Sequence, residues 1–379
     1  MLTIDPGALE NARKALDRPE SAENIAICAL LARAKKALGA PLETVTAKSF
    51  LPPSGDRRDY MSLGSYWWPN PDTADGLPYV RRDGARNPAS LSEDVDESRL
   101  TRMANTVLDL ALAFHFTANS DFSAKAVDFL RAWFLEEKTR MNPNLRFGQS
   151  VPGVAEGRGL GLIDTRCLWR VIDSALMLEA CGLLDRRDME GLRDWFHAFR
   201  RWMHTHPLGH DEYIWHNNHG TYFDVQSVNY ALFTGDTASA REMLYDAVHR
   251  RMASQILRDG TQPAELERTR PFHYSIFNLI GHFRLARYGE IAGFDYLNAT
   301  QDGRSLRGAT EFMIGQIAAP EARFFPARED FLNELTLRFV LQAENLFGLR
   351  VQDNMVLAEL LAGNAREITC LAFGQGPAH

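Results

Sequence analysis

A chain of 379 residues, 45% hydrophobic and 24% charged, has an ordinary globular composition with room for a large core. The formal charge of −7 excludes a whole-molecule attraction to nucleic acid or to an anionic membrane, so any polyanionic partner needs a local cationic site. No apolar run reaches the roughly 18 residues of a membrane span, and no basic segment followed by an apolar stretch opens the chain. The expected compartment is cytoplasmic as the sequence stands, or periplasmic or secreted if a leader was removed. Cys28, Cys167, Cys181 and Cys370 are widely spaced, form no C-x-x-C pair and sit in apolar contexts. Buried free thiols are expected, not a disulfide scaffold or a zinc site.

Helical periodicity starts at 21–38. From Pro41 to about Asp96 it stops: the stretch is rich in Pro, Gly, Asp and aromatics, including Tyr60, Tyr66, Trp67, Trp68 and Tyr79. That is too aromatic for a linker and too long for an ordinary connection, which predicts a functional loop over about 41–97. "SRLTRMANTVLDLALAFHF" resumes the helical pattern, with Val107, Leu110, Ala111 and Phe114 at i, i+3, i+4 and i+7. A further helix is expected at 122–136, then a second break rich in Gly and Asn at 141–165. Helical patterns follow at 165–183, 188–204, 221–233, 238–257, 273–287, 330–346 and 354–362. Short links such as "TGDTAS" carry capping residues, so neighbouring helices pair as antiparallel hairpins. No sequence repeat of fixed period appears, which favours a closed or partly closed ring of helix pairs over a solenoid. One all-α domain over 1–379 is expected.

Four constellations carry chemistry. "WHNNHGTYFDVQ" crowds His216, Asn217, Asn218 and His219 before a helical stripe through Phe223, Gln226, Tyr230 and Phe233. Asn218 and His219 near a helix N-terminus, with free N–H groups and the positive end of the macrodipole, would suit a carboxylate; capping accounts for one Asn, but two Asn flanked by two His favour a functional site. His204, His206 and His210 bring the histidines between 204 and 219 to five of the chain's eleven. Yet no H-E-x-x-H and no Cys or close carboxylate pair completes a zinc shell, so neither metal nor cofactor is expected. "ELERTRPFHYSIFNL" sets Arg268 and Arg270 on a loop entering a helix that begins near Pro271, with His273 and Tyr274 in its first turn. Arginine recognises carboxylates with two parallel hydrogen bonds, and a tyrosine beside a guanidinium is usable for proton transfer; packing of Tyr274 and solvation of a turn are as good an account of this stretch by itself. "YMSLGSYWWPNPDTADGLPYVRRDG" offers flat rings on which sugars pack, and in "FGQSVPGVAEGRG" Gln149 and Arg158 are candidates to line a cleft.

Taken in order, "SYWWPNPDTADGLPYVRRDGARNP", "MNPNLRFGQSVPG", "NNHGTYFDVQ" and "ELERTRPFHYSIFNL" resemble the alginate-lyase-domain family of polysaccharide lyases over about residues 60–280. The resemblance implies an α/α toroid of helical hairpins and cleavage of a uronic-acid polymer, alginate or glucuronan, by β-elimination. It implies an active site of Asn218, His219, Arg268 and Tyr274, with Tyr66, Trp67 and Trp68 on a lid or substrate-binding segment. His216, Asn217, Gln149, Arg158, Arg270 and His273 are expected around the substrate. The partner is then an anionic uronate polysaccharide, with no nucleic acid or membrane, and the protein a monomer or homodimer. Two rivals stand beside this reading. One is a helical-toroid glycoside hydrolase using two carboxyl groups, with Asp224, Glu265 and Glu267 as candidate acids. The other is a carbohydrate-binding protein without catalysis.

Overall fold

The computed structural model describes residues 1–318, 325, 333–349 and 351. It is mostly helical, 62% helix against 5% strand, and the described strands pair only two by two, so the core is built helix on helix. By contacts the chain divides into two compact units. One comprises Met1–Arg33, His216–Leu232 and Asp236–His379; the other comprises Ala34–Trp215 and Phe233–Gly235. Among the described residues no helix is long and apolar enough to cross a membrane.

The first unit is organised around the helix Pro271–Ala292. Its buried residues, from Phe272 and Ile276 to Phe283, Leu285 and Tyr288, fall on every side, as they must for a helix surrounded by others. The helices Thr237–Ala247, Leu306–Ala318 and Glu334–Phe347 pack against it, with Phe283 stacked on Phe339 at 5.7 Å. Pro271 occupies the first turn, where its missing N–H costs nothing, and Gly293, at φ 70°, closes the far end in the left-handed conformation. The Thr3 hydroxyl meets the Tyr288 hydroxyl at 2.8 Å and pins the N-terminal segment to this helix.

The second unit sets Glu97–Thr117 against Ser120–Leu130 and Trp169–Ala180. Phe134, Trp195, Phe196 and Phe199 form an aromatic cluster, and the Trp195 indole donates to the Met141 carbonyl at 2.7 Å. The long loop is folded on short strands. Met61–Leu63 pairs in parallel with Phe147–Ser150, and Trp67–Trp68 pairs antiparallel with Val80–Arg81.

Most expected helices are present with shifted ends. The 122–136 pattern is a helix over Ser120–Leu130 that widens into a π turn over Arg131–Leu135; the 238–257 pattern carries another π turn at Val248–Met252. The helix expected from 165 starts at Trp169, because Gly159–Cys167 winds as tighter 3₁₀ turns. Pro6–Lys14, Pro207–Tyr213 and Leu306–Ala318 are helices the periodicity did not mark; in the last, Gly308, Thr310 and Gly315 dilute the apolar stripe. The 354–362 pattern and Cys370 lie outside the described residues. Of the other cysteines all are free thiols, but only Cys167 is buried. Cys28 and Cys181 are exposed, a correction to the expectation of burial: an apolar neighbour in sequence points to another face of the helix.

Candidate active site

In the first unit the helix Asn218–Phe233 starts inside the histidine–asparagine loop. Asn217 caps it: its side-chain oxygen accepts from the His219 N–H at 3.1 Å, satisfying one of the donors a helix start leaves open. Asn218 and the carboxylate of Glu265 are each 1% exposed. The Asn218 backbone N–H donates to Glu265 Oε1 at 2.6 Å, and its amide Nδ2 lies 3.1 and 2.9 Å from the two carboxylate oxygens. The anion expected at this helix N-terminus is thus supplied by the chain itself. Burial pushes the Glu265 carboxyl above the ordinary glutamate range; the hydrogen bonds from Asn218 and the charges of Arg268 and His219 pull it back. His219 is half-buried and His216 exposed.

Glu265 lies on the short helix Pro263–Leu266, two residues before the loop that leads to Pro271. On that loop Arg268 is half-buried, and its guanidinium carbon sits 3.7 Å from the centre of the Tyr274 ring. The sequence suggested a guanidinium near the phenol; the structure lays it over the ring face, a cation–π arrangement that also favours negative charge on the ring system. His273 stacks on Phe277 at 6.1 Å, and Phe277 stacks on Tyr222 at 4.3 Å. Tyr222 also donates its hydroxyl to the Phe277 carbonyl at 3.2 Å, tying the two helices that carry Asn218 and Tyr274. Arg270 is exposed immediately before Pro271.

A buried polar network holds these helix starts in register. Gln255 Oε1 accepts from Thr221 Oγ1 at 2.8 Å and from Asn278 Nδ2 at 3.0 Å, while Gln255 Nε2 donates to the Asn217 carbonyl at 3.0 Å. Asn278 Nδ2 also reaches Gln262 Oε1 at 2.8 Å, and Gln262 Nε2 donates to the Ser275 carbonyl at 3.1 Å. His282 faces Gln255 with Nε2 and the Tyr296 hydroxyl with Nδ1. Burial, with the charge of Arg251 behind it, pushes the His282 imidazole down to about 3, so it stays neutral in this network. Buried hydrogen-bond networks of this kind rigidify what they join, although Asn278 Oδ1 is left without a partner among the described residues. No local sign of them is visible in the sequence, since the partners lie 13 to 38 residues apart.

The second unit holds the aromatic loop. Trp67 and Trp68 are half-buried; the Arg158 guanidinium lies 5.7 Å from the Trp67 ring and that of Arg82 lies 5.3 Å from the Trp68 ring. Trp68 donates its indole N–H to the Ala85 carbonyl at 2.9 Å. Arg158 in turn donates to Gln149 through Nε to the carbonyl at 2.9 Å and through Nη2 to Oε1 at 3.0 Å. Gln149 Nε2 donates to Asp164, whose other oxygen accepts from Tyr60 and Ser62. Gln149 and Arg158 are therefore brought together, beside Trp67, by a buried carboxylate that the sequence did not single out. Gly64 makes the fit possible. A Cβ there would stand 2.7 Å from the Trp67 ring and 2.8 Å from Arg158 Nη2. Tyr66 is half-buried on the same loop, its carbonyl accepting from the Arg82 N–H at 2.8 Å.

Two of the three candidate acids of a hydrolase are otherwise engaged. Asp224 is bound by Arg251 at 2.7 Å and by Arg250 at 3.2 Å, Glu265 is bound by Asn218, and Glu267 is exposed. His206 caps the helix Pro207–Tyr213 through Nδ1 and stacks on Trp202, so that histidine serves the fold. Among the described residues no three His, Cys, Asp or Glu side chains converge as a metal site.

The family model for alginate lyase matches residues 44–324. This chain belongs to the alginate lyase family. The family member is 34% identical to an alginate lyase from Bacteroides ovatus, with 99% of each chain covered and a TM-score of 0.88. It shares its fold with alginate lyase A1-III from Sphingomonas species A1, at 16% identity, a TM-score of 0.57 and coverage of 99% and 97%. A histidine-to-alanine variant of the A1-III enzyme complexed with a tetrasaccharide matches with a TM-score of 0.60 at 14% identity, covering 100% of this chain and 98% of that one. No curated protein matches the sequence. The fold class is the α/α toroid of the alginate lyases, and this alginate lyase family member is a polysaccharide lyase enzyme. The hydrolase and the non-catalytic readings are set aside.

Proposed function

We propose that this lyase cleaves a uronic-acid polymer, mannuronate-rich alginate first among them, by β-elimination that leaves a C4=C5 double bond. One observation carries the proposal: Asn218, His219, Arg268 and Tyr274 gather around the start of two helices tied to each other by Tyr222 and Phe277. The C5 hydrogen is weakly acidic while the neighbouring carboxylate keeps its charge, so the reaction needs donors that hold the charge building up on that group. Asn218, His219 and Arg268 supply an amide, an imidazole and a guanidinium for this. Tyr274, with Arg268 over its ring, takes the C5 proton as phenolate. The C4–O bond breaks, its electrons leave with the glycosidic oxygen, and Tyr274 returns the proton to that oxygen. One residue serves both transfers in mannuronate and glucuronate, where the hydrogen and the leaving oxygen share a face. In guluronate they lie on opposite faces, and His219 is the second base. Similarity to a Bacteroides alginate lyase supports alginate, ahead of glucuronan, as the polymer proposed for this chain.

The test is a panel of polymers followed in the ultraviolet. Mannuronate-rich alginate is expected to give rising absorbance from the conjugated product, with glucuronan and guluronate-rich alginate slower. New reducing ends without absorbance would overturn elimination, and a preference for guluronate blocks would overturn the single-tyrosine route.

In the second unit we assign Trp67 to sugar binding, with Arg158, Gln149 and Tyr66 beside it. Trp67→Ala is expected to raise KM for polymer about tenfold, equivalent to about 1.4 kcal/mol, while kcat stays near the parent value. A fall in kcat at unchanged KM would assign the ring to the chemistry instead.

A further inference from the structure

We propose that Glu265 is a positioning residue, which fixes the rotation of the Asn218 amide so that one of its N–H groups is directed at the substrate carboxylate. The inference rests on the elimination reading above and adds to it a residue first considered as an acid. The geometry is specific. An amide nitrogen has two donors, and they diverge by about 120° at a planar nitrogen. The two oxygens of one carboxylate subtend a much smaller angle from a nitrogen 2.9 and 3.1 Å away. One N–H of Asn218 is therefore shared by both Glu265 oxygens and the other is turned away from them. Glu265 Oε1 also takes the Asn218 backbone N–H, so the carboxylate grips the residue at two points and leaves the amide one orientation.

Without that grip the amide has a second orientation, rotated by half a turn, that presents its oxygen where the donor should be. An oxygen facing a uronate carboxylate repels the charge that the site must hold. Glu265→Gln creates this state with little change in volume: the new Oε1 still accepts the backbone N–H, and the new NH₂ group prefers to face the Asn218 oxygen. Protonating Glu265 does the same in the parent enzyme, by turning an acceptor into a donor. The charged and titratable groups acting on Glu265 are Arg268 on its own segment and His219 on the neighbouring helix, and both favour the carboxylate. Burial raises its pKa, so the ionised, active form is lost as pH falls through a value above the ordinary glutamate range.

The experiment measures kcat against pH, and thermal melting, for the parent, Glu265→Gln, Asn218→Ala, the double variant and Tyr274→Phe. Misplacement of one reacting group by about 1 Å costs on the order of a hundredfold, so Glu265→Gln is expected to lower kcat about tenfold to a hundredfold at neutral pH. Its melting should stay near that of the parent, and its profile should lose the acid limb. Asn218→Ala should lose the same limb, and the double variant should be no slower than Asn218→Ala alone, because the two act as one unit. An acid limb that survives in Glu265→Gln, or a parental kcat in that variant, overturns the proposal. Losses that multiply in the double variant also overturn it. If Glu265→Gln does not fold, an acid limb persisting in Asn218→Ala has the same consequence. Near-parental turnover by Tyr274→Phe instead removes the elimination reading itself, whatever Glu265 does.

Discussion

Replacing Tyr274 by Phe is expected to lower kcat by about 10²–10⁴-fold, the span that a positioned general acid or base contributes. The upper end is the expectation, because in the proposed mechanism the same phenol both removes the C5 proton and reprotonates the leaving oxygen, and 10⁴-fold corresponds to about 5 kcal/mol of barrier. The ring itself is retained, so its contact with the Arg268 guanidinium at 3.7 Å persists, as does its edge-to-face contact with His273. Melting and KM should therefore stay close to the parent values. Single-turnover absorbance at saturating mannuronate-rich alginate isolates the chemical step. Turnover within tenfold of the parent would mean that another group moves the proton.

Asp224→Ala is expected to be strongly destabilising. Asp224 is 3% exposed and Arg251 2% exposed, so the pair is removed from water. The guanidinium Nε lies 2.7 Å from one carboxylate oxygen, and Arg250 reaches the other at 3.2 Å from the same π turn. Taking away one partner of a buried pair leaves the other charge without compensation, at a cost of about 3–5 kcal/mol. At ~2–4 °C per kcal/mol for domains of 150–250 residues, melting should fall by about 10 °C. Asp246→Ala is the control. Asp246 binds Arg250 from the surface at 2.8 Å, and exposed pairs contribute about 0–1 kcal/mol. Equal melting of the two variants would show that burial of the Asp224 pair has no special weight.

Much of the helical frame was legible, and the reasons are local. The apolar positions of 98–116 or 221–233 repeat at the helical period, and Pro271 marks the start of the central helix of the first unit, which runs on to Ala292 past the expected end at 287. The irregular stretches at 41–97 and 141–165 were legible for the complementary reason, an absence of period joined to turn residues and aromatics. What blurred the reading was also local: π turns at 131–135 and 248–252 shift the stripe, and the glycines of Leu306–Ala318 thin it.

The candidate site was half legible. Its unusual residue types, Asn218 and His219 together and Arg268 six positions before Tyr274, stand out in a string of letters. Their partners do not. Glu265 lies 47 residues from Asn218, and nothing in "ELERTR" separates it from Glu267, which is exposed. Asp224 reads as a free acid until Arg251, 27 residues on, is found against it.

By itself, then, the sequence determined the helix pairs, the long aromatic loop and the chemical types available for the proposed uronate-directed site, because periodicity, capping and composition act over a few neighbouring residues. The tertiary structure alone decided that Asn217 caps while Asn218 is gripped by Glu265, that the Arg268 cation lies on the Tyr274 ring face, and that Asp224 is bound in an ion pair. The reason is physical: a side chain's role depends on its burial and on which donor or acceptor it meets, and those are set by contacts between residues far apart in the chain.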